Sequence, residues 1–164
     1  MAKAPTATIR RATSADVPTI GGLGGLLVQT HHDFDAKRFI PSTPETPARY
    51  GSFLGSQLAK RGVIVLVAEK KGQVVGYTYA GIEGWDYMSL RGPAGVLYDI
   101  VVDPAHRGKG IGRMLLDATL DALERGGARQ VVLSTAQQNE PAQRLFTSAG
   151  FRRTMIEMTR ELES

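Results

Sequence analysis

The run "VLYDIVVDPAHRGKGIGRMLLDATLDALERGG" (residues 96–127) constrains the fold more than any other stretch of the chain. A strand-like run, "VLYDIVVD", passes directly into a loop with three glycines in five residues, Gly108, Gly110 and Gly112. Apolar residues then fall at Ile111, Met114, Leu115, Ala118, Ala122 and Leu123, which is helical spacing with one buried face. Gly126-Gly127 ends that helix. A glycine-rich turn between a strand and a helix points several backbone N–H groups one way, and the helix dipole adds partial positive charge there. Such a site suits a phosphate or pyrophosphate. Arg107, Lys109 and Arg113 supply charge nearby. A tight turn with solvated cations is the alternative use of the same residues.

Two familiar phosphate loops are excluded by spacing. A nucleotide-hydrolysing loop needs Gly-Lys followed by Ser or Thr, whereas Gly108-Lys109 is followed by Gly110. A dinucleotide loop needs G-x-G-x-x-G after the first strand. Here the run is "GKGIG", two-thirds along the chain.

The remainder reads as one α/β domain over residues 1–164, without internal repeats. "ATIRRAT" alternates as a first strand. "SADVPTIGGLGGLLVQTHH" follows as a helix, with Ser14 or Asp16 as its cap and Pro18 in its first turn. Gly21, Gly22, Gly24 and Gly25 should leave it weak or irregular, and they suit small-residue packing or local mobility better than a binding loop. "HHDFDAKRFIPSTPETP" is a connection, and "TPARYGSFLGSQLAKRG" a second helix. "VIVLVAE", "KKGQ" and "VVGYTYAGI" form a hairpin, "GWDYMSLRGPAG" is a loop, and "RQVVLST" is a buried strand. "NEPAQRLFTSAG" is a short helix capped by Asn139, and "FRRTMIEMTREL" alternates as a closing strand.

Composition narrows the function. With 42% hydrophobic and 22% charged residues the chain is globular. It has no cysteine, so disulfides, thiolate metal sites and cysteine nucleophiles are excluded. "MAKAPTATIRRAT" lacks the apolar stretch of a secretory signal, and no later segment is apolar enough to span a membrane, so a cytoplasmic location is expected. A net charge of +4 fits either a polyanion or a phosphorylated small molecule. The basic residues are dispersed without interleaved aromatics, which argues against nucleic acid. His31-His32, with one scattered third histidine, do not make a metal site.

"RGKGIG" (residues 107–112) resembles the Arg/Gln-x-x-Gly-x-Gly/Ala signature of the GCN5-related N-acetyltransferases. "LYDIVVDPAH" is similar to the family's fourth strand and its exit, and "NEPAQRLFTSAGF" to its later Asn-x-x-Ala…Tyr…Gly-Phe segment. The order of elements agrees over nearly the whole chain. The resemblance implies a mixed, strongly twisted sheet of six or seven strands flanked by helices, with acetyl-CoA wedged between two splayed central strands. The amides of Arg107, Gly108, Lys109, Gly110, Ile111 and Gly112 would then hold the pyrophosphate. The backbone of Asp99, Ile100 and Val101 would pair with the pantetheine arm, Asn139 would contact the cofactor, and Phe146 would lie near its sulfur. The loop itself indicates pyrophosphate; coenzyme A comes only from the resemblance.

Acetyl transfer to an amine needs a neutral nitrogen, a stabilised oxyanion and a departing thiolate. The N–H of Val101 is a candidate to polarise the thioester carbonyl. Many family members carry a tyrosine acid where this chain has Phe146. Peptide-acetylating relatives often carry a glutamate base where it has Ser134. Asp99 matches an acidic residue that some relatives use as a base, and burial there would raise its pKa into a better range. Alternation sends Tyr98 and Asp99 to opposite faces unless the strand bulges. With a bulge Tyr98 can act as the acid, and Tyr79 is a further candidate. For the acceptor, Asp33, Asp35, Glu83 and Asp86 offer charge, and Phe34, Trp85 and Tyr87 offer walls.

The expected function is therefore acetyl-CoA-dependent transfer to a primary amine of a small molecule or peptide, by direct attack in a ternary complex, with no nucleic acid, membrane or metal involved. A homodimer is compatible with the resemblance. The missing tyrosine and glutamate leave a second reading, a non-catalytic acyl-CoA-binding sensor or docking domain.

Overall fold

Lys71 and Gly72 both take positive φ, 50° and 76°, in a two-residue connection between β2 (Val63–Lys70) and β3 (Gln73–Glu83). That is the primed turn whose twist matches an antiparallel pair. In the computed structural model, which describes residues 7–163, this hairpin is the middle of a sheet of order β1-β2-β3-β4-β5. β1 (Thr8–Arg11) runs antiparallel to β2, and β4 (Ala94–Val102) antiparallel to β3. β5 (Val131–Leu133) runs parallel to β4. The first six residues of the stretch read as carrying no secretory signal lie outside the described residues. Among the described residues no helix is long and apolar enough to cross a membrane.

The unbroken apolar run of β2 follows from burial on both faces. Ile64, Leu66 and Ala68 pack with Ile111, Leu115, Leu116 and Leu123 of α3 (Ile111–Arg125) and with Phe146 of α4 (Glu140–Ser148). Val65 and Val67 point the other way, onto Ile20 and Leu23 of α1 (Val17–Phe34) and Leu54 of α2 (Thr46–Gln57). On the α3 side Thr78 and Thr119 satisfy each other across the interface at 2.7 Å.

Two expectations are corrected. α1 is a continuous helix of 18 residues despite its glycines, and it runs on through Asp33 and Phe34, which the sequence had suggested for the connection. Three of the four, Gly21, Gly24 and Gly25, lie against α2. A Cβ on Gly21 would sit 2.4 Å from the Pro47 carbonyl oxygen, and one on Gly24 would sit 2.2 Å from the Tyr50 ring. Tertiary contact thus outweighs their low helix propensity. Among the described residues the sheet has five strands, not six or seven. The alternating segment after Phe151 joins no ladder, because β5 is only three residues long and no backbone of residues 152–163 is bonded to its outer edge.

Candidate active site

β4 and β5 are partners only where Gly95, Val96 and Leu97 face Val131, Val132 and Leu133. Beyond Leu97, β4 continues for five residues with no strand on its β5 side. The sheet therefore splits at Tyr98, and the split opens into a cavity of about 270 Å³. Its walls come from α1 (Leu27, Val28, His31), the connection after it (Phe39, Ile40), β4 (Tyr98, Asp99, Ile100), the residues after β5 (Ser134, Thr135) and α4. Phe146 belongs to the buried core and exposes only part of its surface to the cavity.

Tyr98 and Asp99 both reach this space because the strand bulges. Asp99 faces Tyr79 while Leu97 faces Ala80, which leaves Tyr98 as the extra residue. Tyr98 Oη donates to Glu83, and its pKa is raised by burial and by that carboxylate. Asp99 is buried, and its Oδ2 accepts from Tyr50 Oη at 2.7 Å and Tyr77 Oη at 2.9 Å. Burial pushes the Asp99 carboxyl above the usual carboxylate range, and the two phenols oppose the shift without cancelling it. Both phenols are themselves pushed up, by burial first and then by Asp99, so they stay protonated as donors.

Neither tyrosine was singled out from sequence. Tyr77 had a usable signal: in the hairpin register it opposes Val101, two residues from Asp99 on the same face. Tyr50 had none, since only the docking of α2 brings it there. His31 is a third addition. Its Nδ1 lies 2.9 Å from the Leu27 carbonyl oxygen, which can only accept, so Nδ1 donates there. The ring is braced edge-on by Phe34 and Phe39. His32 bonds instead to the Phe39 carbonyl oxygen.

The glycine loop follows the unpaired stretch of β4 and leads into α3. Gly108 and Gly110 have φ of 72° and 81°, and Gly110 caps α3 without a side-chain bond. Among the described residues, no acceptor is bonded to the N–H groups of Gly108, Lys109, Gly110, Ile111, Gly112 or Arg113; the first helical bond of α3 starts at Met114. Six unpaired donors at a helix N-terminus fit an anionic group such as a pyrophosphate. The Arg107 side chain turns back to the Val102 carbonyl, and Lys109 to that of Ala105. Arg113 is engaged by Asp117 and Ser148. The loop's contribution is therefore mainly backbone. Asn139 caps α4 through its side-chain oxygen, which receives the Ala142 N–H and leaves its amide nitrogen free beside the cavity.

The suggested acceptor residues are spread out. Glu83 is tied to the cavity through Tyr98, and Arg91 bridges it to Asp86. Phe34 backs His31, while Asp33 faces Gln29 on the outer side of α1. Trp85 is exposed in the loop between β3 and β4, and Asp35 caps its own turn. Tyr79 stacks on Tyr98 with ring centroids 4.6 Å apart and points its hydroxyl at Gln57.

A parallel pair that splits beside a buried carboxylate, with unpaired amides in the loop after it, defines an α/β protein whose sheet opening suits an anionic ligand. The chain belongs to the acetyltransferase (GNAT) family, whose model matches residues 28–151. It is 36% identical over 145 residues to the L-amino acid N-acyltransferase MnaT of Escherichia coli, covering 88% of this chain and 78% of that protein. It is 35% identical over 141 residues to the N-alpha-acetyltransferase RimI of Mycobacterium tuberculosis, covering 82% of this chain and 78% of the other. Against the mycothiol acetyltransferase of Thermobispora bispora the identity is 38% over 96 residues, 56% of this chain, and the match spans only 31% of that longer protein. In fold the chain is similar to a variant of the Bacillus halodurans protein BH1408, with a TM-score of 0.81 at 21% identity over 95% of this chain and 99% of that one. It is also similar to the aminoglycoside N-acetyltransferase AAC(6')-Iy in complex with CoA, with a TM-score of 0.71 at 18% identity over 96% of this chain and all of the other (100%).

Proposed function

We propose that the protein transfers an acetyl group from acetyl-CoA to a primary amine of a small molecule or peptide. The observation that carries this is a buried carboxylate on the unpaired stretch of β4 together with six unpaired amides in and just after the loop that follows that strand. Residues 107–112 would hold the pyrophosphate and Asn139 would donate to the cofactor. The open backbone edge of Asp99, Ile100 and Val101 would pair with the pantetheine arm. Bound there, acetyl-CoA supplies an acyl group already activated as a thioester.

Asp99 then takes the proton of the incoming ammonium, directly or through water, and the raised pKa makes it a better base than an ordinary carboxylate. His31, in the same cavity wall as Asp99, would contact the acceptor amine beside it. The Val101 N–H is our candidate for the oxyanion. Tyr98 is the phenol on the cavity, yet its proton is held by Glu83. A thiol is acidic enough, with a pKa near 8.5, for the thiolate to leave with little help, so Tyr98 and Glu83 serve mainly to orient the acceptor. Glu83, held to the cavity through Tyr98, favours a cationic acceptor; Asp33, Phe34 and Trp85, which do not line the cavity, would reach such an acceptor only if it extends beyond it.

Calorimetric titration with acetyl-CoA and desulfo-CoA tests the assignment. Micromolar binding by the wild type that is lost in Gly110→Glu supports it, and absence of binding to the wild type overturns it. The second reading, a domain that holds acyl-CoA without turnover, draws on Phe146, which has no proton to give. Binding with no thiol release across an amine panel would establish that reading in place of catalysis.

A further inference from the structure

Among the described residues, no lysine or arginine lines the cavity. On the side away from β5 its walls are the apolar Leu27, Val28, Phe39 and Ile40, together with His31, Tyr98 and Asp99. The other polar wall residues, Ser134, Thr135 and Asn139, are uncharged. Two guanidinium groups touch these walls or their partners, and both are already paired. Arg38 lies over the Phe39 ring, 4.8 Å from its centroid, and donates to both oxygens of Glu157. Arg91 bridges Glu83 and Asp86 and also donates to the carbonyl oxygens of Gly84 and Gly92. One cation there faces two carboxylates, so the group behind Tyr98 keeps a net negative charge.

The side-chain donors on this side are spent as well. Tyr98 Oη donates to Glu83, and Tyr50 Oη and Tyr77 Oη donate to Asp99. His31 Nδ1 donates to the Leu27 carbonyl oxygen. An α-amino acid carries its carboxylate on the same carbon as its amine. With the amine at Asp99, that carboxylate would leave water for a wall of like charge, with no free cation to meet it. Burying an unpaired charge is unfavourable, and the Asp99 carboxyl beside it adds repulsion. An amine whose neighbouring carbon bears an uncharged group meets neither cost, and its body covers the apolar walls.

We propose that the acceptor is a primary amine with an apolar body and no carboxylate on the amine-bearing carbon, so that free α-amino acids are rejected by charge. The proposal rests on the reading in which Asp99 meets the acceptor amine. Unpaired charge set against the wrong ligand is a general source of specificity.

Initial rates of thiol release with acetyl-CoA would be compared for phenylalanine, phenylalaninamide and phenethylamine, and for leucine, leucinamide and 3-methylbutylamine. Assays at pH 8.5 disfavour imidazolium. Calorimetric titration of the same compounds into protein saturated with desulfo-CoA gives a readout without turnover. The amides are less basic than the amino acids and the simple amines more basic, so basicity cannot favour both. In at least one series the amide and the amine are expected to exceed the amino acid in kcat/KM by about tenfold or more, with the same order in Kd. A lead of the amide identifies a peptide amino terminus as the source, and a lead of the amine a simple amine. Glu83→Gln leaves Arg91 facing one carboxylate instead of two, and is expected to narrow the preference by about threefold or more. Equal kcat/KM for the amino acids, or binding of neither series to protein that holds desulfo-CoA, overturns the inference and leaves acetyl transfer standing. An unchanged preference in folded Glu83→Gln also overturns it, because shape and not charge would then select the acceptor. Failure of desulfo-CoA to bind overturns instead the reading on which the inference rests.

Discussion

Asp99 gathers most of the site's chemistry into one carboxylate, and its environment fixes the sign of two effects. Its pKa is raised in the fold, so folding favours the protonated form. Its contribution to stability is therefore full below the ordinary carboxylate value of about 3.9 and declines as pH rises through the raised value. Asp99→Asn keeps an oxygen for Tyr50 and Tyr77 and removes the buried charge. The variant is expected to melt at a higher temperature than wild type at pH 7–8, with the gap shrinking toward pH 4 in a thermal-melt series. Its transfer rate should fall by about 10²-fold or more, with coenzyme A binding retained. For Tyr77→Phe, which removes one of the bonds that lower the Asp99 pKa, the acid limb of kcat/KM should move to higher pH. An unmoved limb would mean that Asp99 does not titrate in the rate. Asp99 was legible from the strand pattern and the resemblance. The tyrosines that tune it were not, because β3 and α2 supply them from 22 and 49 residues away.

Among the elements, the α1–α2 pair shows how far propensity is overruled. Gly21 and Gly22 are neighbours with opposite surroundings: a Cβ at Gly21 meets the Pro47 carbonyl and the Gly51 backbone, while one at Gly22 meets nothing within 4 Å. Gly21→Ala is expected to destabilise by about 1–3 kcal/mol, since backbone on the facing helix must move. Gly22→Ala should stabilise by up to about 1 kcal/mol. Urea titrations of the two variants would read the difference, and similar behaviour would deny that the helices are in contact there. The junction of β1 with α1 carries a second test. Asp16, buried, accepts from Arg10 at 2.8 and 3.0 Å and from the Thr13 N–H at 2.8 Å. Arg10, above all, holds the Asp16 carboxyl below its usual value. That stabilisation is present above about pH 4 and is lost as pH falls through the lowered folded value. Asp16→Asn is expected to cost about 2 kcal/mol at pH 7, with the deficit closing on acidification. A deficit independent of pH would point to packing instead. Sequence supplied the helix, its cap region and Pro18, but not why four glycines stand in it.

For the molecule as a whole, the split between β4 and β5 predicts linkage between ligand and stability. A ligand that binds only the folded chain, at 100 times its Kd, stabilises it by about 2.7 kcal/mol. Acetyl-CoA should do so for the wild type in a thermal-shift series and leave Gly110→Glu unmoved. An equal shift in both would place the ligand away from the glycine loop. At this scale the sequence determined the local elements: the hairpin with its Lys71-Gly72 turn, the strand–glycine loop–helix unit, and the helix capped by Asn139. Each depends on neighbours within a few residues, where backbone conformation and periodicity act directly. Only the tertiary structure decided that Tyr98 bulges, that Tyr50 and Tyr77 converge on Asp99, that α1 needs glycine to admit α2, and that the last alternating segment finds no partner in its own sheet. These depend on which surfaces meet. Alternation specifies a strand's two faces without specifying which edge will pair with it.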